Sequence, residues 1–310
     1  MASILDRRLV FVTGKGGVGK STVAVALGLL AARRGARTIV AELAGGDRAQ
    51  RALDVPPARE FVETEVAERL HTISIDPQHA MEEYLRIKAG ALGQVMSSSR
   101  LFNAFAMATP GMRELLSIGK VWELAQFERR TRDAEPYDLV VVDAPATGHG
   151  VGLLRTPRSF AEIARVGPIA HQGGAIARTI ADRSFTSVIA VSTAEEMPVT
   201  ETLELHAALL REQLDLDGVV VNARYPERFD RRDASLLERA LSTGEPPPRV
   251  RAALRAALSE HARAGVQAEQ QARLEGAFAG PVVTLPFVFA PELHLPELER
   301  LADRLDEVLP

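Results

Sequence analysis

TGKGGVGKST, residues 13–22, is the stretch that decides the fold of this chain. A short apolar run, residues 9–12, precedes it, and a helix-favouring run, residues 23–34, follows it. Strand, glycine-rich loop and helix in this order make a phosphate site. The glycines let backbone N–H groups turn inward, and the helix N-terminus adds partial positive charge. The stretch therefore predicts a loop that holds a polyphosphate.

Two side chains of this loop are suited to a nucleoside triphosphate. Lys20 would reach the β- and γ-phosphates, and the hydroxyl of Ser21 would ligate Mg²⁺. A second lysine, Lys15, lies inside the loop and marks the deviant Walker A subclass of P-loop NTPases, whose ATPases work as dimers. The predicted cofactors are therefore ATP and Mg²⁺. The nucleotide-binding residues predicted from the loop are Gly14, Lys15, Gly16, Gly17, Val18, Gly19, Lys20, Ser21 and Thr22.

Lysine is rare in this chain, and half of it lies in that loop. The lysines are Lys15, Lys20, Lys88 and Lys120, and every other Lys/Arg position is arginine. A compact ammonium suits a phosphate cradle better than a planar guanidinium. Genomic composition bias explains the arginines but does not explain where the lysines remain.

Composition limits the class of protein. The 310 residues, 46% of them hydrophobic, suffice for one large α/β domain spanning 1–310. A net charge of −4 argues against a nucleic-acid surface. No run approaches the ~18 apolar residues of an integral membrane segment. Because charged residues directly precede the first predicted strand, we expect no signal peptide and a cytoplasmic location. Without cysteine there is no disulfide, thiolate zinc clamp or iron–sulfur cluster.

Short strands alternate with helical segments along most of the chain. The strands are apolar on both faces, which predicts a mostly parallel sheet covered by helices on both sides. A long helical block, residues 79–133, interrupts the alternation and is predicted to form a helical subdomain. It contains four of the six methionines, whose flexible side chains suit varied apolar partners. Ordinary packing of the helices on one another and on the sheet is the favoured explanation for most of its apolar residues. The predicted strands are 8–13, 37–43, 70–75, 138–143, 186–192, 217–222 and 282–286. The predicted helices are 20–34, 197–214 and 295–308, together with a helical block over 157–183 and several helices between 231 and 279.

Asp143 ends the most β-rich run of the chain and is followed by Ala-Pro-Ala-Thr-Gly-His-Gly. A carboxylate at the carboxyl end of a central parallel strand faces the phosphate loop. Asp143 is therefore predicted to hold Mg²⁺ directly or through a water. The glycines of Gly148-His149-Gly150 would let this segment follow the γ-phosphate, as switch loops do.

These motifs together resemble the ArsA/GET-type ATPases, which include arsenite-pump ATPases and ATPases that target tail-anchored proteins. The resemblance rests on residues 14–21, on Asp143 with the Thr-Gly-His that follows it, on Val221-Asn222 and on residues 195–202. It covers nearly the whole chain and is closest to the bacterial single-domain branch. It implies ATP hydrolysis by a homodimer or close heterodimer that couples nucleotide state to an apolar, helical protein client. It also implies that Lys15 reaches the partner's phosphates and that Asn222, Pro286 and Phe287 frame the adenine.

The chain departs from this family after its second strand. The family has an Asp-Pro-Ala-His switch there, whose aspartate positions the attacking water. Here residues 41–48 read AELAGGDR, with Ala44 at the aspartate position. Either Glu42 or Asp47 could substitute, or the subunit depends on a partner for turnover. The family's metalloid and zinc cysteines are absent, so arsenite export and tail-anchored targeting are not carried over.

Two other functions stay open. One is a partition or division-site ATPase of the same superfamily, although the amphipathic tail 295–309 is net acidic, which suits core packing better than anionic lipid. The other is a nucleotide-sensing assembly subunit with little hydrolysis, for which Ala44 is the main support.

Overall fold

The protein is an α/β structure built on one eight-stranded sheet. The computed structural model describes residues 4–43, 46–57, 59–97, 108–131, 134–164, 167–243 and 245–309, with residues 88–97, 147–149 and 168–169 as backbone only. The strands are β1 (Leu9–Gly14), β2 (Thr38–Glu42), β3 (Thr64–Ala67), β4 (Leu70–Ser74), β5 (Leu139–Asp143), β6 (Thr186–Thr193), β7 (Gly218–Arg224) and β8 (Val282–Pro286).

The order across the sheet is β3-β4-β2-β5-β1-β6-β7-β8. All neighbours are parallel except the edge strand β3, which runs antiparallel to β4. The predicted mostly parallel sheet is therefore confirmed, and all seven predicted strands are present. The β1 strand lies between β5 and β6, so the residues that follow it emerge at the middle of the sheet.

Helices cover both faces of the sheet. They are α1 (Lys20–Arg33), α2 (Arg48–Ala52), α3 (Pro77–Ser97), α4 (Met112–Leu124), α5 (Thr147–Ala164), α6 (Pro168–Ala181), α7 (Glu196–Arg211), α8 (Arg231–Ser242), α9 (Pro248–Ala277) and α10 (Leu295–Val308). In the described part of the chain, none of them combines the length and apolarity needed to cross a membrane.

Alternate residues of β1 belong to two separate cores. Leu9 and Phe11 pack with the side that carries α4 to α7, whereas Val10 and Val12 pack with the side that carries α1 and α10. This is the alternation of a strand buried on both faces. It explains why the strand sequences show continuous apolar runs instead of an apolar–polar pattern.

The helix after the glycine loop is buried nearly all round. Ten consecutive residues of α1, 23–32, are buried between the sheet and α10. At its end Arg33 binds Glu299 and Asp303 of α10 with N–O distances of 2.7 and 2.8 Å. The acidic tail helix therefore packs on the core.

Besides the single 3₁₀ turn at Ile4–Asp6, two short elements were not predicted from the sequence, and one helix start was misplaced. Strand β3 and helix α2 were not predicted, and α5 begins at Thr147, ten residues before the predicted 157. Each missed element is only four or five residues long and gives no periodic signal.

The predicted helical block 79–133 contains α3 and α4, while its residues 98–107 lie outside the described part. Ile118, Val121 and Leu124 of α4 are fully buried in the same core as β1. Its status as a subdomain, and the single-domain boundary 1–310, stay predictions.

Candidate nucleotide and metal site

The predicted site residues meet at the carboxyl edge of the central strands. Strand β5 lies between β1 and β2, and Asp143 is in register with Val12 on one side and with Glu42 on the other. The glycine loop leaves β1 at this same edge. Chain topology thus brings together residues that are far apart in sequence, as ligand sites at the switch points of such sheets require.

Three glycines of the loop adopt conformations that other residues rarely adopt. Gly14, Gly17 and Gly19 have φ values of 142°, 86° and 93°. A Cβ on Gly14 would overlap the carbonyl oxygen of Val191, and one on Gly19 would overlap the side-chain amide of Asn222. The loop therefore needs these glycines both for its backbone turns and for its close packing against the neighbouring strands.

Asn222 braces the loop from β7. Its Nδ2 donates a hydrogen bond to the carbonyl oxygen of Val18 at 3.0 Å. Pro286 ends the neighbouring strand β8, and the Phe287 ring stacks on Tyr225 with 4.6 Å between ring centroids. These residues lie at one corner of the carboxyl edge, and their contact with adenine stays a prediction.

Lys20 points back over the loop that precedes it. Its Nζ donates to the carbonyl oxygen of Lys15 at 2.9 Å. Burial lowers the pKa of Lys20, while the negative charge of Asp143 opposes that shift. The ammonium of Lys20 is half-buried, so it can give up this carbonyl oxygen and bind phosphate oxygens in its place.

Ser21 and Asp143 form the pair predicted to bind the metal ion. The Ser21 hydroxyl donates to Oδ2 of Asp143 at 2.6 Å, and Asp143 is 3% exposed. Burial raises the pKa of Asp143, against the hydrogen bond from Ser21 and the charge of Lys20. An adjacent hydroxyl and carboxylate match the oxygen ligands of Mg²⁺, whose remaining positions are usually filled by phosphates and water. The residues present therefore fit this ion.

Lys15 is held within its own chain. Its Nζ lies 2.7 Å from Oε1 of Glu201 on α7, and both side chains are partly exposed. The ammonium of Lys15 thus has a carboxylate partner within its own chain.

The structure separates the two carboxylates considered as substitutes for the family's water-positioning aspartate. Glu42 is 4% exposed and accepts backbone N–H groups from Arg48 and Ala49 at 3.1 and 3.4 Å. Burial and the charge of Asp143 raise its pKa to about 7. Asp47 instead binds Arg51 at 2.7 Å on the surface side of α2. Of the two, only Glu42 is a strand neighbour of Asp143, and Ala44 lies outside the described residues.

Comparison with known proteins identifies the family. The family model described as "Anion-transporting ATPase" matches residues 7–166 and 162–243. The chain belongs to this family. The chain is 34% identical over 236 residues to "ATPase BagA" of Mycobacterium tuberculosis, which covers 73% of this chain and 68% of that protein. It is 24% identical over 246 residues to the "Arsenical pump-driving ATPase" of Escherichia coli, covering 73% of this chain and 41% of the pump protein.

The chain is also similar to a eukaryotic protein. The "ATPase ASNA1 homolog" of Entamoeba dispar is 24% identical over 257 residues, covering 70% of this chain and 76% of that protein. Membership in the anion-transporting ATPase family and relatives named as ATPases support an ATPase activity for this chain. The resemblance to ArsA/GET-type ATPases is thereby confirmed.

Two polar residues of the candidate site were not predicted from the sequence. Arg48 reaches the Ser21–Asp143 pair from α2, and Glu201 binds Lys15 from α7. Their positions in the sequence could have indicated both. Arg48 follows β2, which neighbours β5, and Glu201 follows β6, which neighbours β1, so both lie at the same edge of the sheet. Gly148-His149-Gly150 lies in the first turns of α5, and the His149 side chain is outside the described part.

Proposed function

We propose that this protein is a Mg²⁺-dependent ATPase that works as a dimeric switch. The observation that carries the proposal is the grouping of Lys20, Ser21 and Asp143 around the glycine loop at the carboxyl edge of β1 and β5. A bound triphosphate would accept hydrogen bonds from N–H groups of the loop and from the ammonium of Lys20. Ser21 and Asp143 would hold Mg²⁺, which would neutralise charge on the β- and γ-phosphates.

Hydrolysis needs a water oriented on the γ-phosphorus. Its oxygen forms a bond to phosphorus while the bond to the β–γ bridging oxygen breaks, giving ADP and inorganic phosphate. We assign the orientation of this water to Glu42, because its carboxylate is buried beside Asp143 in the sheet register. A group with a pKa near 7 can accept the proton that the water loses. Asp47, held by Arg51, is the weaker candidate.

The dimer is proposed from the position of Lys15. This lysine lies on the loop at the rim of the site and is partly exposed, so a second subunit facing this edge would bring its own Lys15 to the phosphates. Asn222, Pro286 and Phe287 would line the adenine side of the same edge. A homodimer and a close heterodimer are both compatible with this arrangement.

An apolar client is proposed from the region of α3, α4 and α6. Among the described residues, a cavity of about 200 Å³ lies between these helices. Its flexible, apolar lining suits a helical segment of another protein. The apolar side chains that line it include Met81, Leu85, Met112, Leu115, Leu116 and Ile176.

A second candidate is a nucleotide-sensing assembly subunit with little turnover. It is favoured by the ion pair between Lys15 and Glu201 of the same chain, because this pair holds the Lys15 ammonium away from the phosphates of a second subunit. Steady-state ATPase assays with and without candidate partner proteins separate the two, because the sensor would bind ATP but stay slow under both conditions.

The Lys20→Ala variant tests the proposed function. We expect it to lose ATP binding, because the β- and γ-phosphate charge would then lie without its ammonium. Isothermal titration with a non-hydrolysable analogue and Mg²⁺ measures this loss, with Lys88→Ala as a control lysine outside the loop. Unchanged affinity in Lys20→Ala, with a normal unfolding transition, would reject the assignment of the phosphate site.

A further inference from the structure

The first residue of α2 reaches the metal-binding pair of the site. Nη1 of Arg48 lies 3.5 Å from Oγ of Ser21 and 4.0 Å from Oδ2 of Asp143. Its side chain is about half exposed, with a relative accessibility of 51%, so a ligand can reach the guanidinium from solvent. A γ-phosphate that shared a metal ion with Ser21 and Asp143 would lie near this guanidinium.

The backbone of Arg48 is fixed by buried partners. The carboxylate of Glu42 accepts the N–H groups of Arg48 and Ala49 at the start of α2. Two residues on, the Gln50 side chain donates to Oγ1 of Thr72 at 3.3 Å, and both of these side chains are buried. A five-residue helix held in this way keeps the Arg48 Cα in place while its long side chain stays free to follow a ligand.

The two arginines of α2 have different surroundings. Arg51 binds Asp47 at 2.7 Å and is 69% exposed, as an ordinary surface ion pair would be. Arg48 is directed to the site, where its only counter-charge within 4.0 Å among the described residues is Asp143, which also accepts a hydrogen bond from Ser21. When Asp143 is taken up by the metal ion, the guanidinium loses this partner and needs another anion.

We propose that Arg48 is a catalytic residue that contacts the γ-phosphoryl oxygens in the transition state, as an arginine finger supplied within the same chain. The inference rests on the proposed ATPase function and adds a residue to it. A planar guanidinium can donate two parallel hydrogen bonds to phosphoryl oxygens, which a lysine cannot do. Arg48 keeps its protons throughout and stabilises charge on the equatorial oxygens while the water–phosphorus bond forms and the bond to ADP breaks.

The test compares Arg48→Ala with the matched control Arg51→Ala on the same short helix. Arginine fingers contribute about 10³–10⁵ in kcat, and since Lys15 and Mg²⁺ share the charge here we expect a loss of about 10²–10³ for Arg48→Ala. Affinity for a non-hydrolysable analogue should stay close to that of the unchanged protein. Arg51→Ala should keep its kcat. Arg48→Lys should recover only part of the lost activity, because it restores the charge but not the paired donors.

A transition-state analogue provides a second measurement. ADP with aluminium fluoride mimics the planar γ-phosphoryl group, and we expect Arg48→Ala to fail to trap it while Arg51→Ala traps it normally. Equal kcat and equal trapping in the two variants would overturn the inference and leave the ATPase proposal intact. Parallel loss of analogue binding and of thermal stability in Arg48→Ala would also overturn it, because the residue would then be structural. If the unchanged protein bound no ATP at all, the proposed function itself would fail.

Discussion

Two groups of buried charged side chains in this molecule are compensated very differently. The site cluster, Lys20, Glu42 and Asp143, lies at the carboxyl edge of the sheet. The second group joins the β2–β3 connection to α3, α4 and the loop that follows α4. We call it the structural network, and its members are Glu63, Glu83, Lys120, Glu123 and Arg129.

In the structural network every charge has a close opposite charge. Arg129 has no exposed side-chain surface and lies 2.6 Å from Glu63 and 2.8 Å from Glu123. Lys120 lies 3.0 Å from both Glu83 and Glu123. Burial alone would raise the pKa of Glu123, but the hydrogen bonds of Arg129 and the charge of Lys120 outweigh it and lower the pKa to about 2. The close partners of these charges are therefore all side chains of the fold.

The charges of the site cluster are paired less closely. Burial and the neighbouring Asp143 raise the pKa of Glu42 to about 7, and burial also raises the pKa of Asp143. Among the described residues, the one ion pair that these two carboxylates form within 4.0 Å joins Asp143 to Arg48, at 4.0 Å. Carboxylates in this condition mark functional sites more often than structural ones, because a bound cation can supply what is missing. From this contrast we infer that the site cluster is the group that binds a ligand, whereas the structural network stabilises the fold.

The largest expected effect comes from removing Lys15, the charge proposed to reach the site cluster of a second subunit. Lys15→Ala should lower turnover by about 10³–10⁵, the range of charges supplied in trans at phosphoryl transfer. ATP binding should persist, because Lys20 and the loop N–H groups remain. Single-turnover kinetics and analogue titration measure the two quantities separately. Equal loss of affinity in Lys15→Ala and Lys20→Ala would contradict the role in trans.

The next prediction compares the effect on stability of replacing one carboxylate of each group. Glu123→Gln should destabilise the protein by about 3–5 kcal/mol, because the buried side chains of Arg129 and Lys120 would each lose a charged partner that lies within 3.0 Å. Asp143→Asn should leave the free energy of unfolding nearly unchanged while ATPase activity is lost. Urea unfolding of the nucleotide-free proteins compares them. Similar destabilisation by both substitutions would remove the distinction between the two groups.

The third prediction concerns the pH dependence of stability. The pKa of Glu42 is raised when folded, so its contribution to stability is present below about pH 4.5 and is lost as pH rises through about 7. Glu123 has the opposite sign: its contribution is present above about pH 4.5 and is lost as pH falls through about 2. The free energy of unfolding of Glu42→Gln, measured relative to that of the unchanged protein, should therefore rise by on the order of 2 kcal/mol from pH 5 to pH 8.

Urea unfolding at both pH values, without nucleotide, measures this difference. The amide of glutamine resembles the protonated carboxyl group and still accepts the N–H groups of α2. A stability difference between Glu42→Gln and the unchanged protein that does not vary with pH would show that Glu42 has an ordinary pKa in the fold.

The two groups also differ in how far the sequence predicts them. The loop and Asp143 could be predicted, because contiguous residues or a strand end determine their positions. The structural network could not, since its members come from separate segments that meet only after folding. Arg48 was missed for a related reason: its position depends on α2, a helix too short for propensity to predict and held by the side chains of Glu42 and Gln50.

The smallest expected effect tests the ion pair that keeps Lys15 within its own chain. Glu201→Gln removes the charge that lies 2.7 Å from Lys15 and should strengthen ATP-dependent dimerisation, because the lysine no longer has to leave a partner. Partly exposed ion pairs contribute little, so we expect up to about fivefold for each subunit. Sedimentation equilibrium with Mg²⁺ and a non-hydrolysable analogue measures the dimer constant, and Glu204→Gln, an exposed carboxylate on the same helix, is the matched control. Raised salt should shrink the difference, because it screens such pairs. A weaker dimer in Glu201→Gln than in Glu204→Gln would show instead that Glu201 positions Lys15 in the closed state.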